Sequence, residues 1–227
     1  MSAERFVLMD DPDLWSGGGD SMQFRLVYEG PLRSTQRDPE GPQTDPRHEH
    51  KHAIRKQFHR QLKHLWAINR NLNGEHTLDA LLLESSPEPP LRDAQALAAA
   101  HAMYGWNFVP LVTEGMDLSC SLEILFLRRA RPGRIIQAGD IDNRLKTLFD
   151  ALTIPTPHDQ YTAKTPEAGE SPMYCLLQDD RLITRVTVET DQYLVPPSDS
   201  LQLDDVHLVI NVEIRPYFQG IGNAHFN

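Results

Sequence analysis

The chain has 227 residues, 40% of them hydrophobic and 24% charged, with a net charge of −10 at pH 7. This is the composition of an ordinary globular protein with enough chain to bury a full core. Cys120 and Cys175 fit neither a disulfide framework nor a zinc spacing. No apolar run approaches the ~20 residues of a membrane span, and the N-terminus lacks the order of a signal peptide, so we expect a cytoplasmic protein with no membrane partner.

The first half of the chain predicts one strand and two helices. Residues 1–21, with an acidic group and a glycine run, are expected to form a flexible lead. Alternating apolar residues predict a strand over 22–28. A helix is predicted over 49–69 from apolar residues four apart, and an alanine-rich helix over 91–104, ending at Gly105.

The second half predicts the rest of a sheet. Alternation predicts strands over 118–127 and 206–214 and after Asp180, and a helix is predicted over 140–152. Residues 154–172 are polar and without periodicity. We therefore predict an α+β fold, a mixed sheet with flanking helices, in one domain over 22–227 with a polar insertion at about 154–175.

Charge is unevenly distributed along the chain. A net acidic protein is a poor general partner for a polyanion, because such binding depends on Lys and Arg. Two basic stretches nevertheless stand out, either as local steering surfaces for a polyanion or as solvated faces, and charge alone leaves both readings open. They contain Arg55 and Lys56 in the predicted helix 49–69, and Arg128, Arg129 and Arg131 after the predicted strand 118–127.

The most informative segment is residues 139–152, GDIDNRLKTLFDAL. Asp140 and Asp142 lie one residue apart at the start of the predicted helix, and Lys146 follows four residues after Asp142. A second acidic pair, Asp179 and Asp180, precedes a β-branched run. Carboxylates from a helix start and a strand start that converge make the all-oxygen environment that Mg²⁺ prefers, and phosphodiester hydrolysis is a reaction that such sites serve.

A structural interpretation of the same residues is also available. Asp140 stands where a helix N-cap belongs, a role that stabilises by about 1 kcal/mol. Asp142, Lys146 and Asp150 are four apart and match an exposed ladder of ion pairs on a helix. Spacing alone does not decide between this ladder and a metal site.

The ordered pattern from Gly139 to Leu152, followed by Asp-Asp-Arg-Leu-Ile, resembles the signature of the RusA family of Holliday junction resolvases. The resemblance is close over 139–152 and 179–188 and looser over the first strand, the basic helix and the strand before the motif. Members of that family are small dimeric α+β endonucleases that cut four-way DNA junctions with Mg²⁺ or Mn²⁺. The resemblance therefore implies this fold, this activity, branched DNA as a partner and a homodimer.

The resemblance also implies roles for individual residues. Asp140, Asp142 and Asp180 correspond to the metal-binding and catalytic aspartates, and Lys146 to the active-site lysine. Asn143 and Asp150 match motif positions with supporting roles. Asp179 is either a ligand or a turn residue. Arg55, Lys56, Arg128, Arg129 and Arg131 are expected to contribute electrostatics toward nucleic acid.

Two features depart from the family. The stretch from Leu152 to Asp179 is longer than the short turn of a typical member, and the chain is acidic where small junction-binding resolvases are usually basic. Two alternatives to a junction resolvase therefore stay open. One is a RusA-fold binding or interaction protein without catalytic activity, and the other is a nuclease that acts on another DNA or RNA substrate.

Overall fold

The computed structural model describes residues 21–33, 46–69, 72, 94–129, 140–155, 165–194 and 205–217. Within these residues the protein is α+β, with two mixed sheets, as the sequence predicts. None of the described helices combines the length and apolar content needed to cross a membrane. The strands are β1 (Met22–Pro31), β2 (Ala102–Met103), β3 (Trp106–Val112), β4 (Leu118–Arg128), β5 (Met173–Leu177), β6 (Ile183–Gln192) and β7 (Asp205–Pro216). The helices are α1 (Pro46–Ile68), α2 (Ala94–Ala100) and α3 (Asp140–Leu152).

The larger sheet has the strand order β1-β7-β4-β6, and only the β4–β6 pair is parallel. Side chains alternate between its two faces, as the period of two in a strand requires. One face is buried and supplies much of the main core, while the other carries mostly polar and charged residues. The core face of β4 and β7 includes Leu118, Leu122, Phe126, Leu208, Ile210 and Val212.

Helix α1 packs against this core and also covers the edge of the sheet at β1. Ile54, Phe58 and Leu62 are almost completely buried and follow the predicted i, i+4, i+8 stripe. On the edge, the Gln61 side chain accepts a hydrogen bond from the Val27 N–H at 2.9 Å and donates to the Val27 carbonyl at 2.7 Å. A glutamine amide thus occupies the place of a neighbouring strand, which satisfies an otherwise open edge.

The smaller sheet has the order β2-β3-β5, with β3 and β5 parallel. Neither β3 nor β5 is among the predicted strands. All but one of the β3 residues are buried, so the strand reads as a continuous apolar run without alternation. Pro110 lies inside it, and proline normally argues against a strand interior. Met173 and Cys175 of β5 pack with Trp106 and Phe108 in a second core cluster.

The helix predicted before β3 needs correction. The helix predicted over 91–104 ends at Ala100, and the chain then forms the β2–β3 hairpin, whose turn contains Tyr104 (φ 53°) and Gly105 (φ 80°). Gly105 therefore serves a hairpin turn rather than a helix C-cap. The region predicted as an insertion, about 154–175, includes the first residues of β5. The expected flexible lead lies outside the described residues apart from residue 21.

Candidate active site

Helix α3 positions the acidic motif. Its bounds, Asp140–Leu152, are those the sequence predicts. Leu148 and Leu152 are buried in the core, and this fixes the helix with Asp142 and Lys146 exposed. Residues 142, 146 and 150 share one side of the helix, with about 12 Å along the axis from the first to the last. Asp140 is the first helical residue, and its side chain lies outside the described part of the structure.

The C-terminal turn of α3 is held by α1. The Arg55 guanidinium donates from Nη2 to the Asp150 carbonyl at 2.5 Å and from Nε to the Thr153 carbonyl at 3.2 Å. The carbonyls of a last helical turn have no partner within the helix, so Arg55 satisfies one of them, on Asp150, and the carbonyl of Thr153 just after the helix. Lys51 on the same face of α1 forms an ion pair with Asp150, Nζ to Oδ2, at 2.7 Å. This places Asp150 firmly beside α1.

The second acidic pair lies on a short 3-10 turn, Asp180–Leu182, which leads into β6. Asp179 is the N-cap of this turn: its Oδ1 accepts from the backbone N–H of Arg181 at 3.0 Å and from Arg181 Nε at 2.9 Å. These hydrogen bonds hold the pKa of Asp179 below its ordinary value. Asp179 is thus engaged as a turn residue, one of the two roles that its sequence position leaves open.

Asp180, of the second acidic pair, is affected by a charge on α3, the helix that carries the first pair. Its pKa is raised, first by partial burial and then by the charge and hydrogen bond of Asp179 and by the charge of Asp150 on α3. Residues 150 and 180 are far apart in sequence, so only the fold brings their charges within reach of each other. A carboxylate whose charged form is disfavoured in this way is stabilised by a nearby cation or by a proton.

The donor set suits a hard divalent cation in its chemistry. Asp142 and Asp180 offer carboxylate oxygens, the ligand type that Mg²⁺ prefers, whereas Asp150 is already paired with Lys51 and lies about 12 Å along the helix axis from residue 142. Among the described residues no group of three His, Cys, Asp or Glu side chains is close enough to hold a metal. The Asp140 side chain is not part of that comparison.

The basic residues expected to face nucleic acid lie in three different environments. Arg55 is 1% exposed and fully committed to the end of α3, which does not suit it to direct contact with DNA. Lys56 pairs with Glu167 at 3.0 Å and Glu170 at 2.5 Å, so its charge is neutralised within the chain. The remaining three residues follow β4.

The end of β4 retains its basic character. Arg128 and Arg129 are half-buried there, and Arg131 lies outside the described residues. The Nε and Nη2 atoms of Arg128 are buried and have no hydrogen-bond partner in the described part of the chain. Guanidinium groups donate readily to phosphate, but these two atoms of Arg128 are not accessible to a ligand in the structure.

Lys51 was not singled out as a site residue by the sequence, and Asp150 only as a supporting one. In the sequence alone, Lys51 is one lysine of a basic helix and Asp150 is the last member of an i, i+4 series. The Asp142–Lys146–Asp150 spacing marks Asp150 as a member of a charged series. Which cation pairs with Asp150 depends on how α1 packs against α3.

Comparisons with models of protein families, with curated proteins and with solved structures each found no match to this chain.

Proposed function

We propose that this chain is a Mg²⁺-dependent endodeoxyribonuclease of the RusA type, which cleaves branched DNA such as four-way junctions by metal-assisted hydrolysis of phosphodiester bonds. The observation that carries the proposal is that the turn containing Asp180 packs against α3, the helix that begins with Asp140 and Asp142. The two segments that resemble the family are therefore neighbours in the fold, and the charge of Asp150 on α3 contributes to the raised pKa of Asp180. A homodimer with two such sites would place one cut on each of two strands.

Asp140, Asp142 and Asp180 are the residues that would hold Mg²⁺ or Mn²⁺. A bound divalent cation supplies neutralisation of the carboxylates, polarisation of the phosphate and a lower pKa for the attacking water. Asp150, paired with Lys51 at 2.7 Å, is proposed to be a neighbour of this set rather than a ligand. Asp179, already committed to Arg181, orders the turn that presents Asp180.

Lys146 is proposed to bind the scissile phosphate. Its ammonium group is exposed on the side of α3 that carries Asp142. A cation in this position balances negative charge that grows on the phosphoryl oxygens as the water attacks. Arg128 and Arg129, at the C-terminal end of β4, are proposed to contact the DNA backbone away from the reacting bond, together with Arg131, which follows them in the sequence.

One observation favours the alternative of a binding protein without catalytic activity. Burial of Arg55 and neutralisation of Lys56 remove two basic residues from any DNA-facing surface. A chain with net charge −10 then depends on few cations to hold a polyanion. The substrate assay below separates this alternative, and that of a nuclease for another DNA or RNA, from the proposed function.

The test is cleavage of a synthetic four-way junction, a linear duplex and an RNA of matching sequence, with Mg²⁺, Mn²⁺ or EDTA. We expect metal-dependent, symmetric nicking of the junction. Its rate should fall more than roughly 100-fold in Asp142→Asn and in Asp180→Asn, a larger loss than substitution of residues around a ligand set causes. Asp117→Asn is the matched control, since Asp117 is exposed and its φ of 51° suits asparagine.

Each contrary outcome points to a different reading. Tight junction binding that needs no metal and leads to no cutting would support the binding protein. Equal cleavage of junction and linear duplex, or preferential cleavage of RNA, would keep the chemistry and replace the substrate. Cleavage that survives both Asp142→Asn and Asp180→Asn would exclude the proposed site.

A further inference from the structure

Strand β6 forms an open edge of the larger sheet. It is ten residues long and pairs along one side with β4. Among the described residues no strand pairs with its other side. None of its ten residues is buried: seven are exposed and three are partly buried, and Val186 is 40% exposed. A long strand in this condition presents a row of backbone donors and acceptors.

The opposite edge of the same sheet, at β1, is covered by side chains of α1. At β1, the Gln61 amide pairs with both backbone groups of Val27, and Gln57 donates to the Glu29 carbonyl at 3.1 Å. Proteins blunt exposed edges with such covers, or with lysine, proline or a bulge. Strand β6 contains no lysine and no proline; its one irregularity against β4 is the extra residue Thr184 at the strand start, and its register is regular from Arg185 to Gln192.

The sequence of β6 is complementary to itself when reversed. In an antiparallel pair centred on Thr187, Arg185 lies opposite Glu189. Val186 lies opposite Val188 in the same register. Opposite charges and β-branched residues in directly facing positions stabilise a sheet. Facing residues have the same parity, so the buried faces of both sheets stay on the same side.

The charges on this edge are available for such pairing. Glu189 is exposed and forms no ion pair within the described part of the chain. Arg185 leans toward Glu123 of its own sheet at 3.0 Å, and its side chain remains 56% exposed. A guanidinium has five N–H donors, so one pair within the chain leaves donors for a second carboxylate.

We propose that β6 is the homodimer interface: two copies of this chain pair their β6 strands antiparallel about a two-fold axis at Thr187, and the two larger sheets become one continuous eight-stranded sheet. A two-fold axis requires a surface that complements itself, and this strand meets that requirement. The interface uses none of the acidic motif residues. Its test therefore does not depend on the proposed nuclease activity.

The pairing predicts which cysteine substitution cross-links the dimer. Thr187 of one copy faces Thr187 of the other, and directly opposed residues have Cα atoms about 4.5–5.5 Å apart, within reach of a disulfide. We expect Thr187→Cys to give a disulfide-linked dimer under mild oxidation. Thr184→Cys is the control because residue 184 faces Thr190, and the native Cys120 and Cys175 are buried.

Charge exchange tests the same register through mass measured by light scattering over a range of concentrations. Glu189→Arg places two arginines opposite each other, with the Arg185–Glu123 pair intact, and we expect the dissociation constant of the dimer to rise by about tenfold or more. Adding Arg185→Glu should restore dimerisation. A protein that is monomeric at all concentrations would overturn the interface. So would a dimer whose dissociation constant does not change in Glu189→Arg and in which Thr187→Cys cross-links no better than Thr184→Cys.

Discussion

Arg55 shows how much the role of a charged residue depends on where its helix faces. The sequence places it in a basic stretch, and a basic stretch suggests contact with a polyanion. In the structure it points into the protein and donates to the carbonyls of Asp150 and Thr153. Its charge therefore serves the junction of α1 and α3, where it also counters the partial negative charge of a helix C-terminus.

Substituting Arg55 should consequently affect stability before it affects binding. In Arg55→Ala, the Thr153 carbonyl loses its donor in a buried place and the Asp150 carbonyl keeps only Thr153 Oγ1, and we expect the free energy of unfolding to fall by about 2–4 kcal/mol. Urea unfolding followed by circular dichroism measures this loss. Arg60→Ala, one helical turn further and exposed, should change stability by less than about 0.5 kcal/mol. Similar small effects in both variants would contradict the buried role.

His59 is held in one tautomer by two backbone groups. The N–H of Tyr174 donates to Nδ1 at 2.9 Å, so Nε2 carries the proton and donates to the Gly169 carbonyl at 3.1 Å. The side chain is buried, and burial lowers its pKa below the ordinary value. The neutral ring is therefore the form that the fold accommodates.

This arrangement predicts a loss of stability on mild acidification. As the pH falls below about 6.5, the unfolded chain protonates His59 before the folded one does, so stability declines until the pH passes the folded pKa. Thermal unfolding between about pH 7.5 and about pH 5 should show this slope. It should be smaller in His59→Gln, which keeps a donor and an acceptor, and unchanged in the exposed control His64→Gln.

His101 adds a second component to the same slope, because burial lowers its pKa as well. The His59→Gln variant should therefore reduce the pH dependence and leave a remainder. An unchanged slope in His59→Gln would mean that the ring is not held neutral by its surroundings.

At the scale of elements, the end of the predicted insertion is docked on α1. Glu170 is 7% exposed and lies against Lys56 at 2.5 Å and His52 at 3.6 Å. Burial acts to raise the pKa of Glu170, but the hydrogen bonds from Lys56 and from the Glu167 N–H outweigh it and lower the pKa. Residues 165–170 are thus attached to the basic helix, and the attachment explains why Lys56 is not open to a polyanion.

The docking predicts a matched pair of variants. Glu170→Gln removes a buried charge partner of Lys56, and we expect it to lower the free energy of unfolding by about 1–3 kcal/mol near neutral pH. Glu167→Gln, whose side chain is 75% exposed, should cost at most about 1 kcal/mol. Chemical denaturation of the two variants and the parent measures both. Equal costs would show that burial of Glu170 adds nothing.

The pH dependence of this cluster follows from its two pKa shifts. The contribution of Glu170 is complete above its unfolded pKa of about 4.3 and is lost as the pH falls through the lower folded value. Lys56 has a raised pKa, mainly through its hydrogen bond with Glu170, so its contribution is lost only as the pH rises through that folded value. Glu170→Gln and the parent should therefore converge in acid.

Sequence patterns found the elements that alternate and missed those that do not. Strands β4 and β7 have one buried and one solvated face, so their period of two is visible in the chain. Strands β3 and β5 are covered on both faces, and a short apolar run of that kind does not distinguish a strand from a buried helix segment. Pairing between β3 and β5 is a contact between distant segments, which no local pattern contains.

For the whole molecule, the proposed metal site predicts that Mg²⁺ stabilises the fold. A ligand that binds only the folded state at about ten times its Kd adds about 1.4 kcal/mol, which raises the Tm of a chain this size by roughly 3–6 °C. Differential scanning fluorimetry with Mg²⁺, against sodium chloride of equal ionic strength, measures it. Asp180→Asn should lose the shift and Asp117→Asn should keep it. A shift that persists in Asp180→Asn would place the metal elsewhere.

The sequence by itself determined the α+β class, the bounds of α3 and the buried stripe of α1, because these follow from periodicities of 3.6 and two residues. It also marked Asp140, Asp142, Lys146 and Asp180 as one chemical pattern. Only the tertiary structure decided which charged residues lie close together. Asp180 lies near Asp150, Lys51 pairs with Asp150, and Arg55 is buried, because each depends on how distant segments pack, and side-chain charges interact through space rather than along the chain.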